Sequence, residues 1–569
     1  MRVFSKDELT STQPVFLLTV KFAGQEFRFS SFPVSVFKVD TTTVFYPGGL
    51  DDFQFVESSN IVGIDLEANS ISLQLVFPIN IMEYWRRGHV LEGCEAELSF
   101  VLYKDGAVST DYENRMIMLN GIVQQPVFGD PLEPVGSVAV SIERKPYDTT
   151  DGGLLIDPTF VIDPDSITQH ATADDSAIGK NPPVVIVGDG INSQFISNTS
   201  AQRDIFITPA YCIKKLTGSD CFLIIAQHWV TAANVKVKGP WGNTITTAVI
   251  NAVDSDGREY AYVNIFDTPL NTSSIYQPGG AYGTAISLPS TVEFWVAWNQ
   301  NNSGGIKSIV TGDKPLTGGG EICIWALTQG SIPIDLGSWS ALLPVLDAYN
   351  FAGYINDPAV TAWDWVSKSI IPYLPIEIKS GDQGIRPVLA QIWALPSSVK
   401  PVSSITSGAD FYQIGAITTE TDTDSIENDV ILEFGFDAFV KEYRGITRFG
   451  ANLIQRDIVH NSADAVISQQ RYNRQSAVYE TKWIINRYTA NRVAADLLRS
   501  KAYPKRTIQF MADVHFGYLQ VGDLISLTSS TLFLSNTISI ITGKTWAQAG
   551  WQLTILIEDS TILTDRYYG

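Results

Sequence analysis

The segments INRYTANRVAADLLRS (residues 485–500), RTIQF (506–510) and LQVGDLISL (519–527) decide how the C-terminal part of this chain folds. In the first segment, apolar residues recur at three- to four-residue spacing and predict one face of an amphipathic helix: Val493, Ala494, Leu497 and Leu498. The dipeptide Gly522-Asp523 is typical of a tight turn, so the other two segments are predicted strands of one small sheet or barrel. We expect the apolar face of this helix to pack on the second of two predicted β barrels, within residues 405–569.

At 569 residues the chain is too long for a single hydrophobic core, and it should divide into three or four domains. Its 13 Trp and 22 Tyr residues, together with abundant Val, Ile, Thr and Ser, favour strands over helices. The predicted fold class is therefore mainly β with a few α-helices, in several domains.

Residues 1–147 form the first predicted domain, a strand-rich unit. Residues 15–22 and 26–29 alternate in polarity around a short turn and predict a β-hairpin. Residues 80–88 predict a short helix that ends at Gly88, since glycine commonly follows the last helical turn. The remaining strands complete a candidate barrel.

Residues 205–404 form a predicted inserted region with β-rich and α+β parts. It follows residues 148–204, a Gly/Pro-rich connection that we predict to be a linker on the surface. The largely apolar run 321–327 is predicted as a strand. Two amphipathic helices are predicted after it, at 339–349 and 362–372.

Residues 405–569 form the last predicted domain. Its opening stretch, 414–434, predicts a strand, a polar turn and a second strand, with Asn428 at a position that tolerates left-handed backbone geometry. This stretch, together with the helix and the strand-turn-strand pattern of 485–527, resembles the tail-hub and tail-tip proteins of tailed bacteriophages.

The resemblance implies that 1–147 and 405–569 are two tube-like β domains, separated by the inserted region. It implies a structural virion protein, not an enzyme: a ring-forming homotrimer at the distal end of the tail. Two similar domains in each of three chains give six near-equivalent surfaces, which can join a sixfold tube to threefold tip parts. The implied partners are the tail tube or distal tail protein, a tail fibre, spike or tip protein, the tape-measure protein, and phage DNA passing through the lumen during ejection.

The N-terminus lacks the apolar core of a signal peptide, and no apolar stretch reaches about 18 residues. We therefore expect synthesis in the host bacterial cytoplasm, no stable membrane insertion, and a final location at the virion tail tip.

The net charge of −21 is unevenly distributed. Residues 1–440 carry 24 Lys and Arg against 50 Asp and Glu, whereas residues 441–510 carry 13 against 5. An acidic protein repels phosphate, so a lumen of this sign would let DNA pass without holding it; acidity that only maintains solubility is the alternative. We expect the basic residues of 441–510 to lie at subunit or partner contacts, where Arg pairs with carboxylates.

The residues proposed for structure or assembly are Gly522, Asp523, Leu497, Val493, Arg444, Arg448, Arg471 and Arg474.

The sequence offers no pattern typical of a catalytic, cofactor or metal site. Its five histidines have no zinc-ligand spacing, and Gly-x-Ser-x-Gly is absent. The acidic pairs Asp163/Asp165 and Asp422/Asp424 are interpreted as exposed turn residues. Cys212 and Cys221 are the only cysteines close enough in sequence to bridge within a hairpin. We expect alanine at Asp163, Asp165, Asp422 or His228 to leave assembly intact.

Two alternatives remain open at this point. The chain could be a receptor- or carbohydrate-binding tail-tip protein that meets the host surface near residues 205–330, where tryptophans are frequent. It could also be a cell-wall or exopolysaccharide hydrolase, which would need a cleft with paired carboxylates. Soaking with envelope glycans tests the first alternative, and zymography tests the second.

Overall fold

The structure is a computed structural model that describes residues 13–40, 42–58, 70–77, 81–108, 111–128, 137–144, 153–162, 179–186, 205–215, 221–230, 234–238, 244–264, 294–298, 316–381, 384–390, 400–407, 411–412, 418–422, 425–451, 459–512, 514–530, 532, 534–547 and 550–557. The strands in these residues are β1 (Gln13–Phe22), β2 (Gln25–Ser30), β3 (Val34–Phe37), β4 (Thr43–Tyr46), β5 (Leu50–Ser58), β6 (Ser70–Val76), β7 (Glu95–Lys104), β8 (Ala107–Val108), β9 (Met116–Phe128), β10 (Ser137–Arg144), β11 (Val184–Ile186), β12 (Thr208–Lys215), β13 (Cys221–Ala226), β14 (Asn234–Lys238), β15 (Thr244–Val253), β16 (Glu259–Asn264), β17 (Phe294–Trp298), β18 (Gly353–Ile355), β19 (Ile376–Gly381), β20 (Gly384–Leu389), β21 (Ser403–Thr406), β22 (Phe411–Tyr412), β23 (Thr418–Asp422), β24 (Asp429–Asp437), β25 (Glu442–Gly450), β26 (Val459–Asn461), β27 (Ser476–Glu480), β28 (Lys505–Ala512), β29 (Leu524–Ser529), β30 (Leu534–Ala547) and β31 (Gly550–Ile557). The α-helices in these residues are α1 (Ile81–Arg86), α2 (Gly319–Gln329), α3 (Leu336–Leu346), α4 (Ala362–Ser369), α5 (Ala463–Tyr472) and α6 (Arg487–Lys501). The predicted mainly β, multidomain class is confirmed.

The chain divides into two compact units, each built from separate segments. Unit 1 contains residues 1–147, 376–423 and 505–569, and unit 2 contains residues 148–375 and 424–504. The first segment of unit 1 ends at residue 147. The predicted boundary at 404/405 lies inside unit 1, because strands that follow residue 376 join a sheet with strands from both chain termini.

Unit 1 is dominated by one fifteen-stranded sheet. Eight of its strands come from residues 13–144 and seven from residues 403–557. The two halves meet where β5 pairs with β30, in the antiparallel register Gly543↔Ser58, Lys544↔Glu57 and Thr545↔Val56. Strands from both predicted β domains thus join one continuous sheet, with a shared hydrophobic core that contains residues of both.

Strand β1 carries apolar side chains on both faces of the first half-sheet. Its even-numbered residues lie in the large core of unit 1: Phe16, Leu18, Val20 and Phe22. Its odd-numbered residues Val15 and Leu17 pack instead under the hairpin β3–β4. Because successive side chains of a strand point to opposite faces, the hairpin covers the face opposite to the large core.

The local turns and the first helix follow the sequence. Between β1 and β2, Ala23 and Gly24 have φ values of 52° and 75°, the left-handed pair of a type I′ hairpin turn. The predicted helix at 80–88 is α1, and Gly88 follows it with φ 86°. Both predictions are confirmed.

Unit 2 contains a closed six-stranded barrel and a separate four-stranded sheet. The barrel has the order β12-β13-β16-β15-β14-β17. The four-stranded sheet has the order β26-β25-β24-β27, in which β24 and β27 run parallel. Helix α6 packs across β24 and β25, and α5 contacts β25 and α6.

The predicted strand at 321–327 is wrong, because these residues lie in helix α2. Residues 319–327 of that helix are all buried. A helix that is apolar on every side has no polar face, so its sequence cannot be distinguished from that of a buried strand by periodicity. The helix predicted at 339–349 begins three residues earlier as α3, where Asp335 caps it by accepting a hydrogen bond from the Ser338 N–H (3.1 Å).

The prediction that residues 148–204 are a surface linker is wrong for the part that the structure describes. Leu155, Ile156, Phe160 and Ile162 are buried, and the last two pack with Ile224, Tyr260 and Tyr262 of the barrel strands. Apolar residues widely spaced among Gly, Pro and Asp give no periodic signal, so the sequence does not show their burial.

His228 lies at the end of β13 and joins the barrel to β11. Its Nε2 accepts the Val185 N–H at 3.0 Å, so the proton is on Nδ1, which donates to the Trp229 carbonyl (2.8 Å). Burial lowers the pKa of His228 to about 4, although the Trp229 carbonyl opposes the shift. The ring is a hydrogen-bonded neutral histidine.

We expect His228 to make unit 2 acid-sensitive. Its pKa in the folded state lies below the ordinary histidine pKa of 6.5, so its contribution to stability is complete above about pH 6.5 and is lost as the pH falls towards 4. The loss is at most about 1.4 kcal/mol per pH unit. Urea denaturation of the wild type and of His228→Gln between pH 7.5 and 4 measures it. Parallel pH profiles for the two proteins would contradict the assignment.

We also expect Gly522→Val to destabilise unit 1 more than Gly24→Val. Gly522 has φ 92°, and a Cβ there would lie 2.7 and 2.8 Å from the two Cγ atoms of Val388. Gly24 has a similar φ of 75° but no atom within 4 Å of its added Cβ, so it isolates the backbone strain from the overlap. Strain costs about 1–3 kcal/mol at either position, and the overlap adds about 1–3 kcal/mol at Gly522 alone. Equal losses of unfolding free energy would refute the contact with Val388.

Candidate assembly site

A buried carboxylate lies at the start of β24 and binds two arginines. The Arg448 guanidinium, on neighbouring β25, donates from Nε to Asp429 Oδ1 (2.8 Å) and from Nη2 to Oδ2 (2.9 Å). Arg474 Nε and Ser476 Oγ also donate to Oδ2, at 2.7 and 2.6 Å. We call these four residues the Asp429 cluster.

The electrostatics of the cluster keep Asp429 ionised. Burial by itself would raise its pKa, but hydrogen bonds from Arg448, Ser476 and Arg474 outweigh burial and lower it. Two cations face one carboxylate, and the Arg474 side chain is half exposed. The cluster therefore ties β24 to β25 and to the loop before β27, while one side of Arg474 remains open to solvent.

Asn428, next to the cluster, fixes the loop and α5 in place. Its side-chain Nδ2 donates to Ser468 Oγ (3.0 Å) and to the Asn473 carbonyl (2.8 Å), and its Oδ1 accepts the Gln475 N–H (2.7 Å). The left-handed residue here is Asn473, with φ 61°. Asn428, which tolerates left-handed geometry, does not adopt it here; its side chain is fully buried and its amide is used for hydrogen bonding.

The opposite end of β24 carries a second carboxylate–arginine pair. Arg444 donates from Nε and Nη2 to Asp437 Oδ2, both at 3.2 Å. Oδ1 of the buried Asp437 accepts the Phe439 N–H. Arg471, the fourth predicted arginine, lies exposed in the last turn of α5. The structure thus brings Arg448 and Arg474 together and pairs Arg444 within the same chain.

Helix α6 has the predicted amphipathic character, and it packs on two strands of the predicted domain 405–569. Val493 and Leu498 are each 1% exposed, whereas Leu497 is half-buried. The helix lies on β24 and β25 of unit 2, while the strands after it, β28 to β31, belong to unit 1. Strands β24 and β25 lie within the predicted domain 405–569, on which the helix was expected to pack. The sequence pattern identifies an apolar face but not the particular strands that cover it.

Gly522 and Asp523 form the turn before β29 in unit 1. Asp523 Oδ2 accepts the Gln520 N–H at 2.8 Å, and Oδ1 lies 3.7 Å from the Arg386 guanidinium. Arg386 also donates to the Val521 carbonyl (2.9 Å). The turn is held by its own carboxylate and by an arginine of β20, and sequence reasoning missed that arginine.

Sequence reasoning also missed Asp429, which organises the cluster. The signal that could have identified it is a charged residue that begins the apolar run of 430–436. A carboxylate at the start of a buried strand requires a cationic partner, since an unpaired buried charge is very costly.

The candidates for chemistry are the residues that the sequence offered, together with possible metal ligands in the described part of the chain. Within the described residues, no group of three or more His, Cys, Asp or Glu side chains could hold a metal ion. Asp163, Asp165 and Asp424 lie outside the described residues, and for Asp422 only the backbone, in β23, is described.

Cys212 pairs with Leu223 and Cys221 with Lys215 in the ladder between β12 and β13. No helix in the described part of the chain is long and apolar enough to cross a membrane.

We expect Asp429→Asn to lower the free energy of unfolding by about 3–5 kcal/mol, because it leaves two guanidinium groups without their carboxylate. The control is Asp364→Asn, which removes a half-exposed pair with Lys368 on α4 and should cost less than about 1 kcal/mol. Chemical denaturation measures both variants. Similar small losses would show that the Asp429 cluster contributes no more than a surface ion pair.

We expect Leu498→Asp to unfold unit 2 and Leu497→Asp to cost distinctly less. The first change places a carboxylate in the buried face of α6, and the second places it at the half-exposed border. Circular dichroism during thermal unfolding compares the two variants. A greater loss for Leu497→Asp would contradict the orientation of α6.

One family model matches the chain, over residues 456–539, and its description is putative phage tail protein. The matched range includes β26, α5, β27, α6, β28 and β29. No curated protein matches the chain.

Several solved structures are similar along most of the chain. The tail protein from Neisseria meningitidis MC58 has 11% identity, with 96% of this chain and 98% of that chain covered and a TM-score of 0.36. The 43 kDa tail protein of prophage MuSo2 from Shewanella oneidensis has 7% identity, coverage of 95% and 98%, and a TM-score of 0.38. A prophage tail protein from Listeria monocytogenes EGD-e has 8% identity, 97% coverage of both chains and a TM-score of 0.32. The family match confirms the resemblance drawn from the sequence: residues 456–539 are similar to a family described as putative phage tail protein.

Proposed function

We propose that this protein is a ring-forming tail hub, three copies of which close a ring at the distal end of a phage tail. The supporting observation is the sheet of unit 1, in which eight strands from one end of the chain and seven from the other are joined through β5 and β30. Each chain thus contributes two adjacent half-sheets. Three chains contribute six, which is the number needed to meet a sixfold tube.

The sheet also has open edges that a ring would cover. Within the described residues its path begins at β2 and ends at β22. Open edges of a large sheet present unpaired backbone groups, and pairing or covering them in an assembly removes that liability. In this proposal the neighbours of the ring are the tail tube or distal tail protein on one side and a fibre, spike or tip protein on the other. The tape-measure protein and the DNA occupy the lumen.

The ion pairs of unit 2 support the proposal that this protein does not bind DNA stably. Arg444, Arg448 and Arg474 bind Asp437 and Asp429 of their own chain, so three of the thirteen basic residues in 441–510 are neutralised internally. Binding to DNA requires Lys and Arg side chains that are free to contact phosphate and release its counterions. We assign the protein no catalytic activity, and we propose that DNA passes through the ring transiently.

The test of the proposal is the mass of the protein in solution and in the particle. We expect a species of three times the 62.5 kDa of one chain by native mass spectrometry, and three copies per tail tip by quantitative mass spectrometry of purified virions. A chain that stays monomeric at high concentration and occurs as one copy per particle would refute the hub. Zymography on host cell walls should show no clearing.

A further inference from the structure

Two exposed apolar patches lie on the first half-sheet of unit 1. The tip patch is formed by the outward side chains of the hairpin β3–β4, Phe37, Val39 and Phe45, which are 54%, 71% and 55% exposed. The helix patch is formed by Trp85 and Val90, at and after the end of α1, which are 55% and 60% exposed. Large apolar side chains grouped in this way on a surface mark protein interfaces more often than isolated ones do.

The hairpin that carries the tip patch is fixed in place by its inward side chains and by hydrogen bonds at its tip. The inward residues of the hairpin are buried against β1 and β7: Val34, Val36, Val44 and Tyr46. Its tip is anchored by the Val39 N–H, which donates to Glu113 Oε2 (3.0 Å), and by the Lys38 N–H, which donates to the Thr42 carbonyl (2.8 Å). The exposed rings therefore occupy fixed positions, so little conformational entropy is lost when a partner binds them.

The tip patch is bordered by acidic groups. Asp40, Asp111 and Glu113 are exposed, and within the described residues none of the three takes part in an ion pair. The half-buried Lys38 lies nearby, and its ammonium group is 5.3 Å from the centre of the Tyr112 ring. An apolar centre with a carboxylate border requires a partner surface that carries cations.

The helix patch provides such a surface. Arg86 and Arg87 are exposed beside Trp85, and neither guanidinium has an ion-pair partner in the part of the chain that the structure describes. The patch is anchored by the His89 N–H, which donates to the Tyr84 carbonyl (3.0 Å), and by the His89 ring, which packs on Phe22. Trp and Arg are the residues most enriched among interface residues that dominate binding energy.

The two patches face opposite sides of the same half-sheet. The hairpin covers Val15 and Leu17, on the odd-numbered face of β1, while α1 and His89 pack against Phe22 on the even-numbered face. One copy therefore cannot bring its own patches together. Complementary surfaces on opposite faces of a subunit generate head-to-tail contacts, which close into a ring when the rotation permits.

We infer that the tip patch of one copy of this chain docks on the helix patch of the next copy. Trp85 and Val90 receive Phe37, Val39 and Phe45, while Arg86 and Arg87 pair with the carboxylates around the hairpin. The inference rests on the proposed function, because it names the contact that closes the ring. The occupant is a second copy, since the chain itself carries both complementary surfaces.

Site-specific photo-crosslinking tests the contact. Phe45 is replaced by p-benzoylphenylalanine in an isotopically light chain, which is mixed with an isotopically heavy wild-type chain and irradiated. We expect crosslinked peptides that join the light hairpin to heavy residues 81–90, identified by mass spectrometry. The control places the same group at Leu336, a comparably exposed residue of α3 at 54%, and should give no crosslink to 81–90. Products that join hairpin to hairpin, or none between chains, would overturn the inference.

Charge reversal provides a second readout. Asp111 is suitable because Asp40 and Glu113 also anchor the hairpin. Asp111→Arg and Arg87→Glu should each weaken self-association by about tenfold, and the double variant should restore part of the loss. Circular dichroism confirms that each variant is folded. If the wild type is a trimer and all the variants remain equally trimeric, the docking inference fails while the hub stands. A wild type that stays monomeric at high concentration and occurs as one copy per particle would instead refute the hub itself.

Discussion

Unit 1 depends on the pairing of β5 with β30, which joins segments near opposite ends of the chain. The pairing is short, but it lies over a shared core. Trp546 of β30 packs edge-on against Phe16 of β1, with ring centroids 5.0 Å apart, and against Trp551 of β31 at 4.8 Å. The aromatic contacts and the strand register support each other, because a one-residue slip would point every side chain of β30 to the wrong face.

The same strand carries a buried lysine next to the junction. Lys544 pairs in register with Glu57, and its ammonium group donates to the carbonyls of Gly517 and Leu519, at 2.6 and 2.7 Å. It also lies 4.1 Å from the centre of the Trp551 ring. A buried ammonium is tolerated only where such acceptors are in place. Lys544 thus ties the loop before β29 to the junction and makes the join between the half-sheets specific.

Unit 2 uses buried polar groups for a similar purpose. The Asp429 cluster and the amide of Asn428 connect β24, β25, α5 and the loop before β27 within a few ångströms. Buried ion pairs contribute little net stability compared with apolar packing, but removing one partner is costly. The network therefore favours one arrangement of β24, β25 and the loop before β27, because any other arrangement would leave a buried polar group unpaired. A defined surface of this kind is what an assembly protein requires, since its neighbours must meet the same contacts in every copy.

Local features of this protein were determined by its sequence alone. The turn at Ala23-Gly24, the helix that ends before Gly88, the positive φ at Gly522 and the apolar face of α6 each depend on residues close together in the chain. The resemblance to phage tail proteins could also be recognised, because much of the pattern that carries it, residues 485–527, is local in the chain and lies within the matched stretch 456–539. Only the tertiary structure decided that 321–327 is a helix, that α6 covers β24 and β25, and that β5 pairs with β30. The physical reason is that an apolar face or a free strand edge specifies that it must be covered, whereas the partner that covers it is chosen among distant segments by packing and register.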